Sequence, residues 1–443
     1  MEPSPDNSKK QLGTAGLAQP AIWQEVYEPE TCLSQYYPRN TVFFYGFPAG
    51  EDSQFFNGVP PWIEELVAAR PLVCAGGGMK VVTFHSTSGE RTLRLLEQVC
   101  GVDLLKPQNI LVLPKEIDKN LRGNVRNEMV KKSLEEMTGD KNLIMAQPFL
   151  TPSLSSHFQI APELTNWLND KATMSKYIPT EFLPRRHLSF KNGIEFAAFT
   201  GVLPLPCVVK LSSSSSGDGV RICRTQEDVA QAQKTFGDLH GTVFIEEYIE
   251  AKHNFGIQFG ISHDTTRKIE IIGFNEQVID KCGGFLGGIV RATSNIPAMK
   301  AIHAALLDKI LPAVRALGWY GIGGIDVLVT QDDKIYFIDP NFRQTAIFAL
   351  VCKSRNQKMT KSIISLTGSF TGTEEEFAKN VLVTAKEKTP DQLMTMVSLS
   401  QDGDRYSFNA GLLFDSEESM KENAKALLKT GVTAAILNKI AVA

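Results

Sequence analysis

The chain has 443 residues, of which 43% are hydrophobic and 21% charged, and its formal net charge is −3. This length is enough for about three domains. The charge balance gives no basic face of the kind that nucleic-acid-binding proteins carry, and no apolar window is long enough to span a bilayer. We therefore expect a soluble protein whose partners include neither nucleic acid nor membrane.

The N-terminal residues indicate a flexible tail rather than a targeting signal. Met1–Pro20 is polar and lacks the apolar core of a signal peptide, so we expect a tail over residues 1–37 and a cytoplasmic protein. The seven cysteines are odd in number, form no CxxC pair and mostly lie in apolar runs. This pattern favours buried thiols over disulfides or a zinc site.

Strands alternate with helices from residue 40 to residue 146, which predicts an α/β domain with a parallel sheet. The predicted strands are Asn40–Gly46, Val81–Phe84, Asn109–Leu113 and Leu143–Ala146, and the predicted helices are Trp62–Ala69, Ser86–Cys100 and Asn124–Thr138. A Ser-, Pro- and Thr-rich linker follows at Pro148–Pro162. We place this first domain at residues 38–160.

A second unit is predicted for residues 161–360 and a third, α+β segment for residues 361–443. The predicted helices are Glu163–Tyr177, Glu227–Gln233, Met299–Leu317 and Glu417–Lys429. The predicted strands are Cys207–Leu211, Val243–Tyr248, Asn254–Ile261, Lys268–Val278, a hairpin over Gly321–Pro340, Leu393–Leu399 and Tyr406–Leu413.

Two carboxylates face each other across the predicted hairpin. A tight turn at Asp332-Asp333 pairs Asp326 with Asp339, and alternation places Asn341 and Arg343 on the same face as Asp339. The same centring pairs Thr330 with Ile335 and Leu328 with Phe337. Carboxylate and amide oxygens suit Mg²⁺ that also holds substrate phosphates. The alternative is a solvated face with unrelated acids, because a one-residue register error separates the pair.

A strand that ends in lysine and is followed by a loop of small residues indicates phosphate binding. Pro206–Lys210 is the strand, and Ser212–Gly219 leaves backbone N–H groups free to approach phosphate oxygens. The lysine precedes the loop, so this is not a Walker motif. The alternative is a serine-rich turn without a ligand. Farther on, Val243–Glu250 is an apolar strand with a polar end.

Taken in order, these pieces resemble the ATP-grasp superfamily over residues 163–348. The motifs are Asn169-Asp-Lys171, the Pro-x-x-x-Lys strand with its loop, Glu246-Glu-Tyr-Ile249 and the hairpin sequences Gly-Gly-Ile-Asp and Asp-Pro-Asn-Phe-Arg. The resemblance implies an α/β and α+β multidomain protein, in which a Rossmann-like domain precedes a two-subdomain ATP-grasp fold with ATP between the subdomains.

The resemblance also implies roles for single residues. ATP would contact Lys171, Lys210, Ser212, Ser213, Ser216, Gly217, Gly219, Glu246, Glu247, Tyr248, Ile249 and His253. Asp326, Asp339 and Asn341 would hold Mg²⁺, with Mn²⁺ as an alternative, and Lys210 and Arg343 would serve catalysis. Apart from the resemblance, we expect Arg291 to serve catalysis because it follows a glycine-rich segment. The second metal acid is Asp339, where the family usually has Glu. Lys176 competes with Lys171 for the first phosphate contact, and the ribose contact stays open among Glu247, Glu250 and His253.

The glycine-rich segment Cys282–Gly288 is a candidate lid over the site, and Arg291 follows it. The alternatives are a hairpin turn for the glycines and a surface ion pair for the arginine.

The sequence thus predicts an ATP-dependent carboxylate–amine ligase that forms a peptide or amide bond through an acyl phosphate and releases ADP and phosphate. Its substrates would be an amino acid or derivative and an amine on an amino acid or peptide, and a homodimer stays open. Domain order also resembles peptide ligases of the pheganomycin-biosynthesis type, which implies natural-product biosynthesis. A bicarbonate-using carboxylase-type subunit and a non-catalytic nucleotide-binding module are the alternatives.

Overall fold

The computed structural model describes residues 31–46, 61–100, 104–117, 123–146, 152–213, 219–279, 284–292, 296–387 and 389–442. Within these residues, the strands form one parallel sheet of four strands and two antiparallel sheets of four and eight strands. No helix in the described part of the chain is both long and apolar enough to cross a bilayer.

The first sheet is parallel, in the order β3-β2-β1-β4. Its strands are β1 (Thr41–Phe44), β2 (Lys80–Thr83), β3 (Ile110–Val112) and β4 (Asn142–Met145), and its helices are α1 (Pro61–Ala68), α2 (His85–Ser88), α3 (Glu90–Cys100), α4 (Gly123–Thr138) and α5 (Pro152–Ser155). Parallel neighbours need helical crossovers, and the apolar strands pack against these helices. The predicted α/β domain is confirmed.

Residues 31–37, which the sequence analysis assigned to the tail, are packed into the protein. Tyr36 and Tyr37 are each only 3% exposed. The backbone N–H of Leu33 donates to the Cys74 carbonyl at 2.9 Å, and the Tyr37 hydroxyl accepts from the Ile322 N–H at 3.2 Å. This stretch therefore ties the first domain to the largest sheet. The rest of the predicted tail, residues 1–30, lies outside the described residues.

The second sheet is antiparallel, in the order β5-β8-β6-β7. It contains β5 (Arg186–Phe190), β6 (Cys207–Leu211), β7 (Val220–Cys223) and β8 (Val243–Glu247), with helices α6 (Pro162–Asn169), α7 (Gly193–Ala197) and α8 (Gln226–Phe236). The predicted helix Glu163–Tyr177 ends early, at Asn169. The Asp170 carboxylate accepts from the Ala172 N–H at 2.7 Å and starts a separate 3-10 helix, Lys171–Lys176.

The third sheet has eight strands, in the order β13-β12-β9-β10-β11-β14-β16-β15. The strands are β9 (Ala251–Ile261), β10 (Glu270–Ile279), β11 (Phe285–Val290), β12 (Gly321–Thr330), β13 (Ile335–Asn341), β14 (Ser362–Thr371), β15 (Met394–Asp402) and β16 (Arg405–Phe414). The helices are α9 (Ala298–Ala304), α10 (Leu311–Ala316), α11 (Phe348–Asn356), α12 (Glu374–Phe377), α13 (Val383–Ala385), α14 (Glu417–Lys429) and α15 (Ala435–Val442). The segment after residue 360 therefore extends the sheet that holds the hairpin.

The hairpin of β12 and β13 pairs Asp326 with Asp339, as predicted. Nearer the turn the predicted register is wrong by one residue, since Val327 rather than Leu328 lies opposite Phe337. A bulge between Asp326 and Val327 absorbs the difference. Val327 and Phe337 are both fully buried, so the bulge turns apolar side chains inward while the two carboxylates stay opposed.

Candidate active site

A cleft of about 770 Å³ is lined by the second and third sheets and by residues of the first domain. Two parts of its lining differ in character. We call the part around Lys171, Lys210, Glu246, Asp326 and Asp339 the charged end. The part lined by Tyr45, Arg70, Ile63, Val67, Leu350, Leu366, Val397 and Asn409 is called the apolar end.

Lys210 connects the two sheets at the charged end. It lies on β6, is 6% exposed, and its Nζ is 2.9 Å from Oε2 of Glu246 on the neighbouring β8. The same Nζ donates to the Ile338 carbonyl on β13 at 3.2 Å. The lysine is therefore held between the Glu246 carboxylate and the hairpin that carries Asp326 and Asp339.

Lys171 is the second buried cation of this end. Its Nζ lies 3.0 Å from Oδ1 of Asp339, and the side chain is 2% exposed. Its backbone N–H donates to the Ser212 carbonyl at 2.9 Å, which links it to the start of the small-residue loop. Lys176 is exposed and is not among the described residues that line the cleft. The geometry thus favours Lys171 over Lys176 as the phosphate contact.

Arg186 is a charged-end residue that the sequence analysis did not select. Its Nη2 is 3.5 Å from Oε1 of Glu246 and donates to the Lys171 carbonyl at 3.2 Å. Its guanidinium carbon lies 4.0 Å from the centroid of the Phe244 ring. The residue lies on β5, which was not predicted, so no local pattern pointed to it.

The two opposed carboxylates, Asp326 and Asp339, repel each other when both are ionised. Burial, followed by the charge of Asp339, raises the pKa of Asp326 to about 7, while a hydrogen bond from Gln277 and the charges of Lys171 and Arg343 act in the opposite direction. Among the described residues, no group of three or more His, Cys, Asp or Glu side chains could hold a metal. Asp326, Asp339 and Asn341 offer two carboxylates and one amide oxygen, a set that suits an ion with further ligands from phosphates and water.

Asp326, Asp339, Asn341 and Arg343 all line the cleft, so the structure brings the predicted hairpin residues together. Ser212 is buried and Ser213 exposed beside the loop, and the Gly219 carbonyl accepts from the Leu211 N–H at 2.8 Å. Ser216 and Gly217 lie outside the described residues.

The polar end of β8 and the residues after it also line the cleft, namely Glu246, Glu247, Tyr248, Ile249, His253 and Asn254. The Glu247 carboxylate accepts from the Arg185 N–H at 2.8 Å, and the His253 ring stacks on Phe255 with centroids 5.3 Å apart. Asn254 Oδ1 is buried and has no hydrogen-bond partner among the described residues. It is an acceptor that a ligand hydroxyl or amine can satisfy.

The structure does not bring Arg291 to the cleft. Its guanidinium pairs with Glu276 at 2.8 and 3.2 Å. Glu276 lies on β10 between Asn275 and Gln277, which both line the cleft, so strand alternation places Glu276 on the opposite face. Arg291 therefore forms an ion pair, which was the alternative to its predicted role in catalysis.

Part of the segment that was predicted as a candidate lid is a strand of the third sheet. Phe285–Val290 forms β11, which pairs with β10 on one side and β14 on the other. A side chain at Gly288 would place its Cβ 2.7 Å from the amide nitrogen of Asn275. The glycine therefore permits close packing within the sheet. Residues 280–283 of the segment lie outside the described residues.

Comparison with known proteins identifies the fold. Residues 184–341 match the model of a family described as L-aspartate–L-methionine ligase, ATP grasp. The solved ADP complex of purK, N5-carboxyaminoimidazole ribonucleotide synthetase, superposes with a TM-score of 0.54 at 14% identity and covers 89% of this chain and 98% of that one. The chain has the fold of an ATP-grasp protein. The charged end of the cleft is lined by the two antiparallel sheets of this fold.

Two curated relatives match shorter stretches of the chain. The 2-oxoglutarate carboxylase small subunit of Hydrogenobacter thermophilus is 27% identical over 200 residues, which is 43% of this chain and 40% of that protein. The D-alanine–D-alanine ligase of Geotalea uraniireducens is 32% identical over 142 residues, 31% of this chain and 43% of that protein. The chain thus spans about two fifths of the length of each of these relatives.

Proposed function

We propose that this ATP-grasp protein is an ATP-dependent ligase that joins a carboxylate to an amine through an acyl phosphate. The observation that carries the proposal is the convergence of Lys171, Lys210 and the Asp326–Asp339 pair on one cleft that continues into an apolar end. The description of the matching family and the name of the D-alanine–D-alanine ligase support ligation.

The charged end provides contacts for ATP. Lys171 and Lys210 supply positive charge for its phosphates, and the unpartnered Asn254 Oδ1 offers an acceptor for a ribose hydroxyl or for the adenine amino group. Glu247 and His253 also line the cleft, whereas Glu250 is not among the described residues that do. We therefore propose Glu247, His253 or Asn254, rather than Glu250, for the ribose contact.

Asp326, Asp339 and Asn341 would hold Mg²⁺, or Mn²⁺ in its place. When bound, the ion would neutralise negative charge on the phosphates during transfer. The raised pKa of Asp326 agrees with this role, because a cation removes the repulsion between the two carboxylates.

Ligation then requires two displacement steps, each of which forms one bond and breaks another. A carboxylate oxygen attacks the γ-phosphorus of ATP, the bond to the β-phosphate oxygen breaks, and ADP leaves. The amine nitrogen attacks the acyl carbon, inorganic phosphate leaves and the nitrogen loses a proton. Arg343, which lines the cleft, supplies positive charge beside the approaching carboxylate.

A carboxylase-type reaction with bicarbonate is the second candidate, since one relative is named as a carboxylase subunit. The apolar end argues against it, because bicarbonate is small and polar and needs no apolar chamber. Amino-acid or peptide substrates, the pheganomycin-type specificity and a homodimer stay predictions.

The test uses the purified full chain with ATP, Mg²⁺ and a library of amino acids taken in pairs. Phosphate release that requires two co-substrates, with a product heavier than either by mass spectrometry, supports ligation. Release that requires bicarbonate supports the carboxylase. Nucleotide binding without turnover in any pairing supports the non-catalytic module. Asp339→Asn, with Arg267→Met as a control outside the cleft, should lose turnover and keep its fold by circular dichroism.

A further inference from the structure

Arg70 is a cation in the cleft whose polar contacts in the structure are with neutral groups. It begins a 3-10 helix, Arg70–Val73, in the first domain. Its Nε donates to Oδ1 of Asn409, and it also forms a hydrogen bond with Tyr45. No ion pair joins Arg70 to a carboxylate among the described residues. A guanidinium has five N–H donors, so these two neutral partners leave donors for a ligand.

The position of Arg70 is held by buried groups. Tyr45 is 2% and Asn409 6% exposed, and the Asn409 side-chain nitrogen donates to Oγ1 of Thr367 at 3.2 Å. Burial lowers the pKa of Arg70, and the contact with Tyr45 only partly offsets this effect. A bound anion would stabilise the positive charge of Arg70, and the planar guanidinium with its paired N–H donors suits a carboxylate.

The surroundings of Arg70 are apolar. Ile63, Val67, Leu350, Leu366 and Val397 line the same end of the cleft. A ligand with an apolar body and one anionic group matches this lining, since the body displaces water around the guanidinium and strengthens its hydrogen bonds.

Arg70 is also separated from the reacting centre. Asp326 lies on β12 and Asn409 on β16, and five steps in the strand order join them. At about 4.8 Å per step, the two strands lie roughly 24 Å apart measured across the sheet. The carboxylate that is phosphorylated must lie beside the ATP, at the charged end. An anion at Arg70 is therefore a different group.

We propose that Arg70 binds a non-reacting carboxylate of a substrate with an apolar body, and so selects substrates by this second anionic group. The inference rests on the proposed ligase function. Two sources share the chemistry: the α-carboxylate of the amine substrate, or a second carboxylate on the acid substrate.

The experiment compares Arg70→Met with the wild-type protein. Methionine keeps the aliphatic stem and removes the donors. Equilibrium binding is measured by calorimetry with Mg²⁺ and a non-hydrolysable ATP analogue, so that it does not depend on turnover. The probes are the twenty standard L-amino acids and their α-amides, and L-aspartate and L-glutamate against L-asparagine and L-glutamine.

The wild-type protein should prefer at least one free acid over its matched amide by tenfold or more, and Arg70→Met should abolish that preference. If the affected pair is an α-carboxylate and its α-amide, and KM for that compound as the amine substrate rises in parallel, the source is the amine substrate. If the affected pair is a side-chain acid and its amide, the source is the acid substrate.

A second variant guards against misfolding. Asn409→Asp places a carboxylate of equal size on the Nε of Arg70, and it should reduce the same preference while Arg70 stays in place. Arg267→Met, an exposed arginine that pairs with Asp264, should change nothing.

The proposal is overturned if the wild-type protein prefers no free acid, or if the preference survives in Arg70→Met and in Asn409→Asp. Failure of every pair to turn over, with the Arg70-dependent preference intact, would instead remove the ligase function and keep the site.

Discussion

The two ends of the cleft manage positive charge in opposite ways. At the charged end, Lys171 and Lys210 each pair with a carboxylate of the protein, Asp339 and Glu246. At the apolar end, Arg70 is held by neutral groups. A ligand at the charged end must therefore exchange with internal partners, which fixes geometry in advance. A ligand at the apolar end supplies the missing charge itself, which makes that end suited to selecting a substrate.

The largest effect should follow from breaking a pair at the charged end. Among the described residues, Lys210→Met leaves the buried Glu246 with the longer contact to Arg186, and loss of one partner of a buried pair costs about 3–5 kcal/mol. We expect a lower Tm and at least a hundredfold loss of ATP turnover, since we propose that the lysine also contacts the phosphates.

The double variant Lys210→Met with Glu246→Gln separates the two effects. It removes both charges, so Tm should recover while turnover stays low. Thermal unfolding and a coupled ADP assay measure them. Wild-type turnover in the double variant would show that Lys210 has no role beyond balancing Glu246.

An intermediate effect should appear when Asp326 is neutralised. Its pKa in the folded protein is raised to about 7, so between about pH 4 and pH 7 the folded state binds more protons than the unfolded state. The stability of the metal-free protein therefore falls as pH rises through this window, by an amount on the order of a few kcal/mol.

Asp326→Asn should abolish that loss. We expect its Tm without metal and nucleotide to exceed the wild-type value at pH 8 and to approach it at pH 4. Mg²⁺ with nucleotide should then raise the Tm of the wild-type protein more than that of the variant. A Tm difference that does not vary with pH would contradict the raised pKa.

The smallest effect is expected for Arg291→Met. The residue and its partner Glu276 are each about one third exposed, and such pairs contribute about 0–1 kcal/mol. Turnover should stay within about threefold of wild type, because the pair lies on the face of the sheet away from the cleft. A hundredfold loss of turnover in steady-state assays would contradict this and support a role for Arg291 in catalysis.

The charged end could be predicted because its signals are local. The pairing of Asp326 with Asp339 follows from one turn and the alternation of two strands, and Lys210 ends an apolar strand before a loop of small residues. The register near the turn could not be predicted, since the bulge depends on the burial of Val327 against the rest of the core.

The apolar end could not be predicted because it is built from distant parts of the chain. Arg70 and Asn409 are separated by 339 positions, and neither the 3-10 helix of Arg70 nor the predicted strand of Asn409 indicates which distant residue it contacts. Arg291 shows the converse limit. Its sequence context places it beside the glycines, but only the pairing of β10 and β11 determines which face it shares with Glu276.

The continuity of the eight-stranded sheet has a practical consequence for dissecting the molecule. β11 contacts β14 along an antiparallel edge, through Ile289 with Ile364 and Val290 with Ile363. A fragment that stopped near residue 360 would leave this strand with unpaired N–H and C=O groups and apolar side chains, which promotes aggregation. The first 360 residues should therefore be studied in the whole protein, where the last eighty or so residues cover this sheet edge.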